Sequence, residues 1–131
     1  MNANALEWVR YAEEDYAVAV SLNKLRCGRR APWNSICFHC QQCLERYLKG
    51  RFEAASLPVP KTGDLVVLLD QVLALEPLWA SFQSSLASVK DYTVDFLYPG
   101  HRATPTQARE ALKICRSIRK EVRLALGLSA K

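Results

Sequence analysis

Residues 33–49 place the strongest constraint on what this chain can fold into. Trp33, Ile36, Cys37, Cys40, Cys43, Leu44, Tyr47 and Leu48 recur every three or four positions, so they share one stripe of a helix and fit no alternating strand pattern. Gln41, Glu45 and Lys49 follow at four-residue spacing on a second stripe, with Gln42 and Arg46 beside them. A helix built this way buries its apolar stripe against neighbours and keeps an organised polar stripe for other contacts.

Four further segments carry the same period, and none alternates, so the spacing predicts an all-α chain. The first runs from about Asn4 to Leu25, with Trp8, Ala12, Tyr16, Ala19 and Val20 facing inward. Cys27 to Pro32 breaks it, because glycine ends helices and proline suits a first turn. The second helix continues from about Pro32 to Ala54, and Pro58 and Pro60 forbid its extension. A short third helix is expected over Thr62–Leu75, capped by Thr62 or Asp64, with Leu65, Leu68, Leu69 and Val72 as its stripe. Pro77 is expected to open a fourth, carrying Leu78, Phe82, Leu86, Val89 and Phe96 to the core. Tyr98–Arg102 reads as a sharp loop. The last helix starts with Thr104, Pro105 and Gln107, a cap, a first-turn proline and a capping-box partner in order. Its inner face is Ala108, Ala111, Leu112, Cys115, Ile118, Val122 and Leu126. Short connections favour antiparallel neighbours, hence an up-and-down helical bundle of four main helices plus one short helix, forming a single domain over residues 1–131.

A chain of 131 residues, half of them hydrophobic, supports one compact core. There is no apolar run of about 18 residues and no basic start before an apolar stretch, so the expectation is a soluble cytoplasmic protein with no membrane partner. Five cysteines is an odd count, and Cys37, Cys40 and Cys43 lie on the core stripe, which points to reduced thiols. With Cys115 and His39 they offer zinc-ligand chemistry, but zinc sites place such residues on knuckles or loops. No metal and no cofactor is therefore expected. The net charge of +5 suits an acidic partner such as a nucleotide or RNA, and equally suits plain solubility. Arg109, Lys113, Arg116, Lys120 and Arg123 share the outer side of the last helix without interleaved aromatics, which reads as a solvated face. Asp15 falls among Tyr11, Ala12, Ala19 and Leu22, where a lone carboxylate is costly, so it needs a partner such as Arg46 or Lys49.

Trp8 followed by Ala12-Glu13-Glu14-Asp15, the run Phe38-His39-Cys40-Gln41-Gln42-Cys43-Leu44-Glu45-Arg46-Tyr47-Leu48-Lys49, then Thr62-Gly63-Asp64-Leu65, Tyr92 and Tyr98-Pro99-Gly100 together resemble the HEPN domain pattern over almost the whole chain. The resemblance implies a prokaryotic helical bundle, usually a homodimer, often encoded beside a small nucleotidyltransferase and associated with nucleotide binding or toxin–antitoxin systems. Many relatives are metal-independent ribonucleases that use an arginine and a histidine four to six residues apart near the start of the last helix. This chain departs from that pattern. It has Leu97 before Tyr98-Pro99 where relatives often have arginine, and Gly63 where many have histidine. No arginine precedes a histidine at the nuclease spacing, since Arg102 follows His101. Cleavage needs an acid or base and a cation for the developing phosphate charge, so the missing pair removes both roles. The expectation is a non-catalytic member with no catalytic residues.

The candidate ligand- or partner-binding residues are Gln41, Gln42, Glu45, Arg46 and Lys49 on the second helix and Tyr98, His101 and Arg102 in the loop. The glutamine amides suit a base edge, and Arg46, Lys49 and Arg102 suit phosphate. Glu45 with Lys49 is also an ordinary helix pair worth about 0.2–0.5 kcal/mol, and the loop is also a plain turn. Two other functions fit the residues: a ribonuclease with a rearranged His101 and Arg102, and a purely structural dimerisation module using Trp33 or Trp79.

Overall fold

A computed structural model describes residues 1–25, 32–96 and 98–131, and the break expected at Cys27–Ala31 lies outside them. Five α-helices are present: α1 (Ala3–Lys24), α2 (Trp33–Ala54), α3 (Leu65–Val72), α4 (Gln83–Asp95) and α5 (Pro105–Ala125), with a 3₁₀ helix at Pro77–Phe82. The all-α bundle of four main helices and one short one follows the periodicity. Among the described residues no helix is long and apolar enough to cross a membrane.

α2 is the central rod and packs on each of the other four α-helices. That position explains its ten buried residues, including Ile36, Cys40, Cys43, Leu44, Tyr47 and Leu48. α1 lies antiparallel to it: the Asn2 side chain caps α1 through the Ala5 amide at 2.8 Å and donates to the Glu53 carbonyl at the far end of α2, also at 2.8 Å. Ala5, Ala12 and Ala19, spaced by two turns, are fully buried and bring α1 close. At Gly50 a Cβ would come within 3.2 Å of Trp8 Cβ, so the missing side chain is part of that approach. α5 runs parallel to α2, since Asn34 meets Ala103 at one end and Tyr47 meets Arg123 at the other. α4 returns antiparallel to α5, with Tyr92 beside Glu110.

Local signals explain the boundaries. Asp64 caps α3 through the Val66 and Val67 amides, while the Thr62 hydroxyl takes the Asp64 amide, so both expected residues act and the helix begins at Leu65. Thr104 and Gln107 form the capping box of α5. The expected fourth helix is split. Pro77–Phe82 winds as 3₁₀, whose three-residue turn puts Trp79 and Phe82 on one side, 6.1 Å between ring centroids. Two of the expectations fail for this reason: Leu78 is turned outward and 90% exposed, and Trp79 is buried in the core rather than offered as a dimer surface.

Candidate functional site

The polar stripe of α2 is more internally paired than its sequence indicates. Lys49 donates to Glu45 at 3.1 Å and lies over the Trp8 ring at 5.7 Å. Arg46 donates to Asp15 Oδ2 at 2.5 Å and lies over the Tyr11 ring at 5.6 Å. Each cation is thus matched by one carboxylate, and the stripe is close to neutral. Gln41 is turned inward: its amide donates to the Gly63 carbonyl at 3.0 Å, and its buried Oε1 has no partner among the described residues. Gln42 remains partly exposed.

Asp15 has the cationic partner expected of it in Arg46, and a second partner the sequence did not suggest. His39 Nδ1 lies 2.9 Å from its other oxygen. A histidine and an arginine seven residues apart on α2 therefore meet on one carboxylate of α1, 8% exposed. Helical spacing shows that His39 and Arg46 share a face, but only the docking of α1 puts an acid between them.

A second network joins α1, α2 and α5. Arg119 gives Nε and Nη2 to the two oxygens of Glu13 at 2.7 and 2.6 Å, and its guanidinium sits 4.3 Å from the Tyr16 ring centre. The Tyr47 hydroxyl donates to Glu13 at 2.6 Å and accepts from Arg123 at 3.1 Å. Burial works to raise Glu13, but the hydrogen bonds from Arg119 and Tyr47 outweigh it and hold the carboxyl below its usual range. Burial and the bond to Glu13 push the Tyr47 phenol up. Arg123 accordingly leaves the solvated face expected of it and serves a structural cluster, whereas Arg109, Lys113, Arg116 and Lys120 stay exposed.

The cysteines form a buried thiol group between α2 and α5. Cys37, Cys40, Cys43 and Cys115 are fully buried. Burial pushes the Cys37 thiol up to about 11. Cys40 is raised by its hydrogen bond to Cys115 and by burial, and Cys43 by burial and the same acceptor. The same two bonds lower Cys115 in turn, and it is the full burial of all four that fits small core hydrophobes. Among the described residues no three His, Cys, Asp or Glu side chains group to hold a metal.

The loop residues form a separate place. The His101 amide donates to the Tyr98 carbonyl at 3.2 Å, and Gly100 supplies the φ of +91° this turn requires. The Ala103 amide donates to the Asn34 side chain at 2.7 Å, joining the loop to the first turn of α2. Tyr98 is 65% exposed, and His101 and Arg102 are exposed without a side-chain partner among the described residues. Arg109 lies 5.7 Å over the Trp33 ring at the same end. An open pocket of about 160 Å³ between Asn34, Ser35, Phe38, Thr93 and Phe96 borders it. Asn34 and Arg46 are twelve residues apart, about 18 Å along the helix. The structure therefore does not unite the two groups of candidate residues: Arg46 and Lys49 meet α1, Glu45 lies between Lys49 and Gly63, Gln42 stands on the same helix, and Tyr98, His101 and Arg102 lie at the N-terminal end of α2.

No curated protein and no solved structure gives a significant match to this chain. The family model described as HEPN domain matches residues 5–125, which takes in all five α-helices almost end to end. The chain belongs to the HEPN domain family.

Proposed function

We propose that this HEPN domain is a non-catalytic binding module that takes the phosphate of a nucleotide or RNA at the N-terminal end of α2 and α5, and works as a homodimer with a cognate minimal nucleotidyltransferase, as in a toxin–antitoxin pair. The observation that carries the ligand is the set of unspent cations at that end. Arg102 and Arg109 are exposed and unmatched by carboxylates among the described residues, in contrast to Arg46 and Lys49. Two helix starts meet there through Asn34 and Ala103, and among the described residues no side chain caps α2. The positive end of a helix favours an anion. Tyr98 and Trp33 supply rings on which a base can stack. The paired Lys49–Glu45 end of the α2 stripe suits a protein partner better than a phosphate.

Titration calorimetry of the chain with AMP, ATP, GTP and a short single-stranded RNA tests the ligand, comparing Arg102→Ala and Arg109→Ala. Binding that weakens severalfold in both variants and with added salt supports this reading. Absence of binding at millimolar ligand removes the nucleotide part. Co-purification with a nucleotidyltransferase encoded beside the chain tests the partner, and sedimentation velocity tests the dimer. Metal-independent RNA cleavage lost in His101→Ala would replace the non-catalytic reading with a ribonuclease using His101 and Arg102.

A further inference from the structure

Asp15, His39 and Arg46 form a cluster that the function above leaves unused. An ionised carboxylate only accepts hydrogen bonds, so the 2.9 Å contact to Asp15 puts the ring proton of neutral His39 on Nδ1 and leaves the lone pair on Nε2. The His39 side chain is 27% exposed, so the ring reaches solvent while Asp15 behind it does not. Arg46 places its positive charge on the other oxygen of this buried carboxylate. The ring of Phe38 packs edge-on against His39 at 5.2 Å, and Tyr11 supports the Arg46 guanidinium, which restricts both side chains. Gln42 is one turn from each of them on the same face. Among the described residues the Gln42 amide and the remaining guanidinium N–H groups of Arg46 have no protein partner.

An imidazole held from behind by a carboxylate is an oriented nucleophile. Attack through Nε2 makes the ring cationic, and the carboxylate offsets that charge. Phosphorus is the electrophile this setting suits, because charge builds on its free oxygens, and Arg46 and Gln42 on the same helix face as His39 retain spare donors. We propose that His39 is a phosphoryl-accepting residue, positioned by Asp15 and assisted by Arg46 and Gln42, that takes its phosphoryl group from an acyl phosphate. The Nε2 lone pair forms the N–P bond as the bond from phosphorus to the acyl oxygen breaks. The leaving group departs with that electron pair as a carboxylate, and the Nδ1 proton stays on the ring against Asp15.

The chain has two histidines, so His101, exposed and lacking a carboxylate partner among the described residues, is an internal reference. The full chain is incubated with acetyl phosphate at neutral pH, and acid-labile phosphohistidine is followed at each position by peptide mass mapping. In the folded chain His39 should be labelled about tenfold faster than His101 despite its lower exposure, and Asp15→Asn should slow His39 about tenfold while sparing His101. In urea the two rates of the natural sequence should converge, which decides the matter even if Asp15→Asn does not fold. Labelling of His101 as fast as His39 in the folded chain, a rate ratio unchanged by unfolding, or a folded Asp15→Asn variant with an unaltered His39 rate would each overturn the assignment.

Discussion

Arg119 and Glu13, 106 residues apart in the chain, meet in a two-point ion pair that joins α5 to α1, with the guanidinium 2.6 and 2.7 Å from the two carboxylate oxygens. Arg119 is 7% exposed and is packed against Tyr16, so the cation lies inside the helix interface while Glu13 keeps contact with solvent. A planar fork is what this geometry needs, and lysine cannot reproduce it.

Arg119→Ala should therefore lower stability by about 2–4 kcal/mol, below the upper end for buried pairs because Glu13 retains some solvent contact. Arg119→Lys should recover less than half of the loss. Urea unfolding followed by circular dichroism measures both, and a loss under about 0.5 kcal/mol in the alanine variant would show that the pair contributes no more than a surface contact.

Stability should also fall in acid. Glu13 titrates below its ordinary value of 4.5 in the folded chain, and Asp64 is held below 3.8 by the Lys90 hydrogen bond and its helix-capping role. The unfolded chain takes up these protons first as pH falls. The contribution is thus fully present above about pH 4.5 and is lost as pH drops through the lower folded values. Melting temperatures between pH 3 and 7 should show that slope, and Glu13→Gln should flatten it while lowering stability at neutral pH.

Ser56 ends α2 with φ of +57°, and the Leu57 amide reaches back to the Phe52 carbonyl at 3.0 Å. This is a helix stop that normally uses glycine, as Gly127 does after α5. Ser56→Gly should raise stability by about 0.5–1 kcal/mol, because relief of the left-handed strain exceeds the added chain entropy. Thermal unfolding would register it as a higher midpoint, and an unchanged or lower one would mean the strain is already relaxed.

Full burial should make Cys37, Cys40, Cys43 and Cys115 inert to a bulky thiol reagent in the folded chain, with reaction appearing only on the timescale of unfolding. Alkylation read by peptide mass mapping with and without urea distinguishes the states. Rapid native labelling of any of the four would show that the α2–α5 interface opens readily.

Periodicity determined the helices and most of the core, because the burial of an amphipathic helix depends on a repeat of 3.6 residues that is written along the chain, and residue type marked Thr104, and Thr62 or Asp64, as caps. It also marked Asp15 as a carboxylate in need of a cation. It misplaced Leu78 and Trp79, since a 3₁₀ winding changes the repeat over a span too short to reveal it. The candidate residues on α2 and in the loop were visible as residue types, but their charge state was not. Which cation is spent on a carboxylate depends on the neighbour that each helix meets, and those neighbours come from α1 and α5, tens of residues away. Only the packed fold chose Arg46 over Lys49 for Asp15, gave Arg123 a structural role, left Arg102 and Arg109 without carboxylate partners among the described residues, and set Asp15 between a histidine and an arginine. Contacts between helices follow from the docking angle and register of whole rods, and no local spacing encodes either.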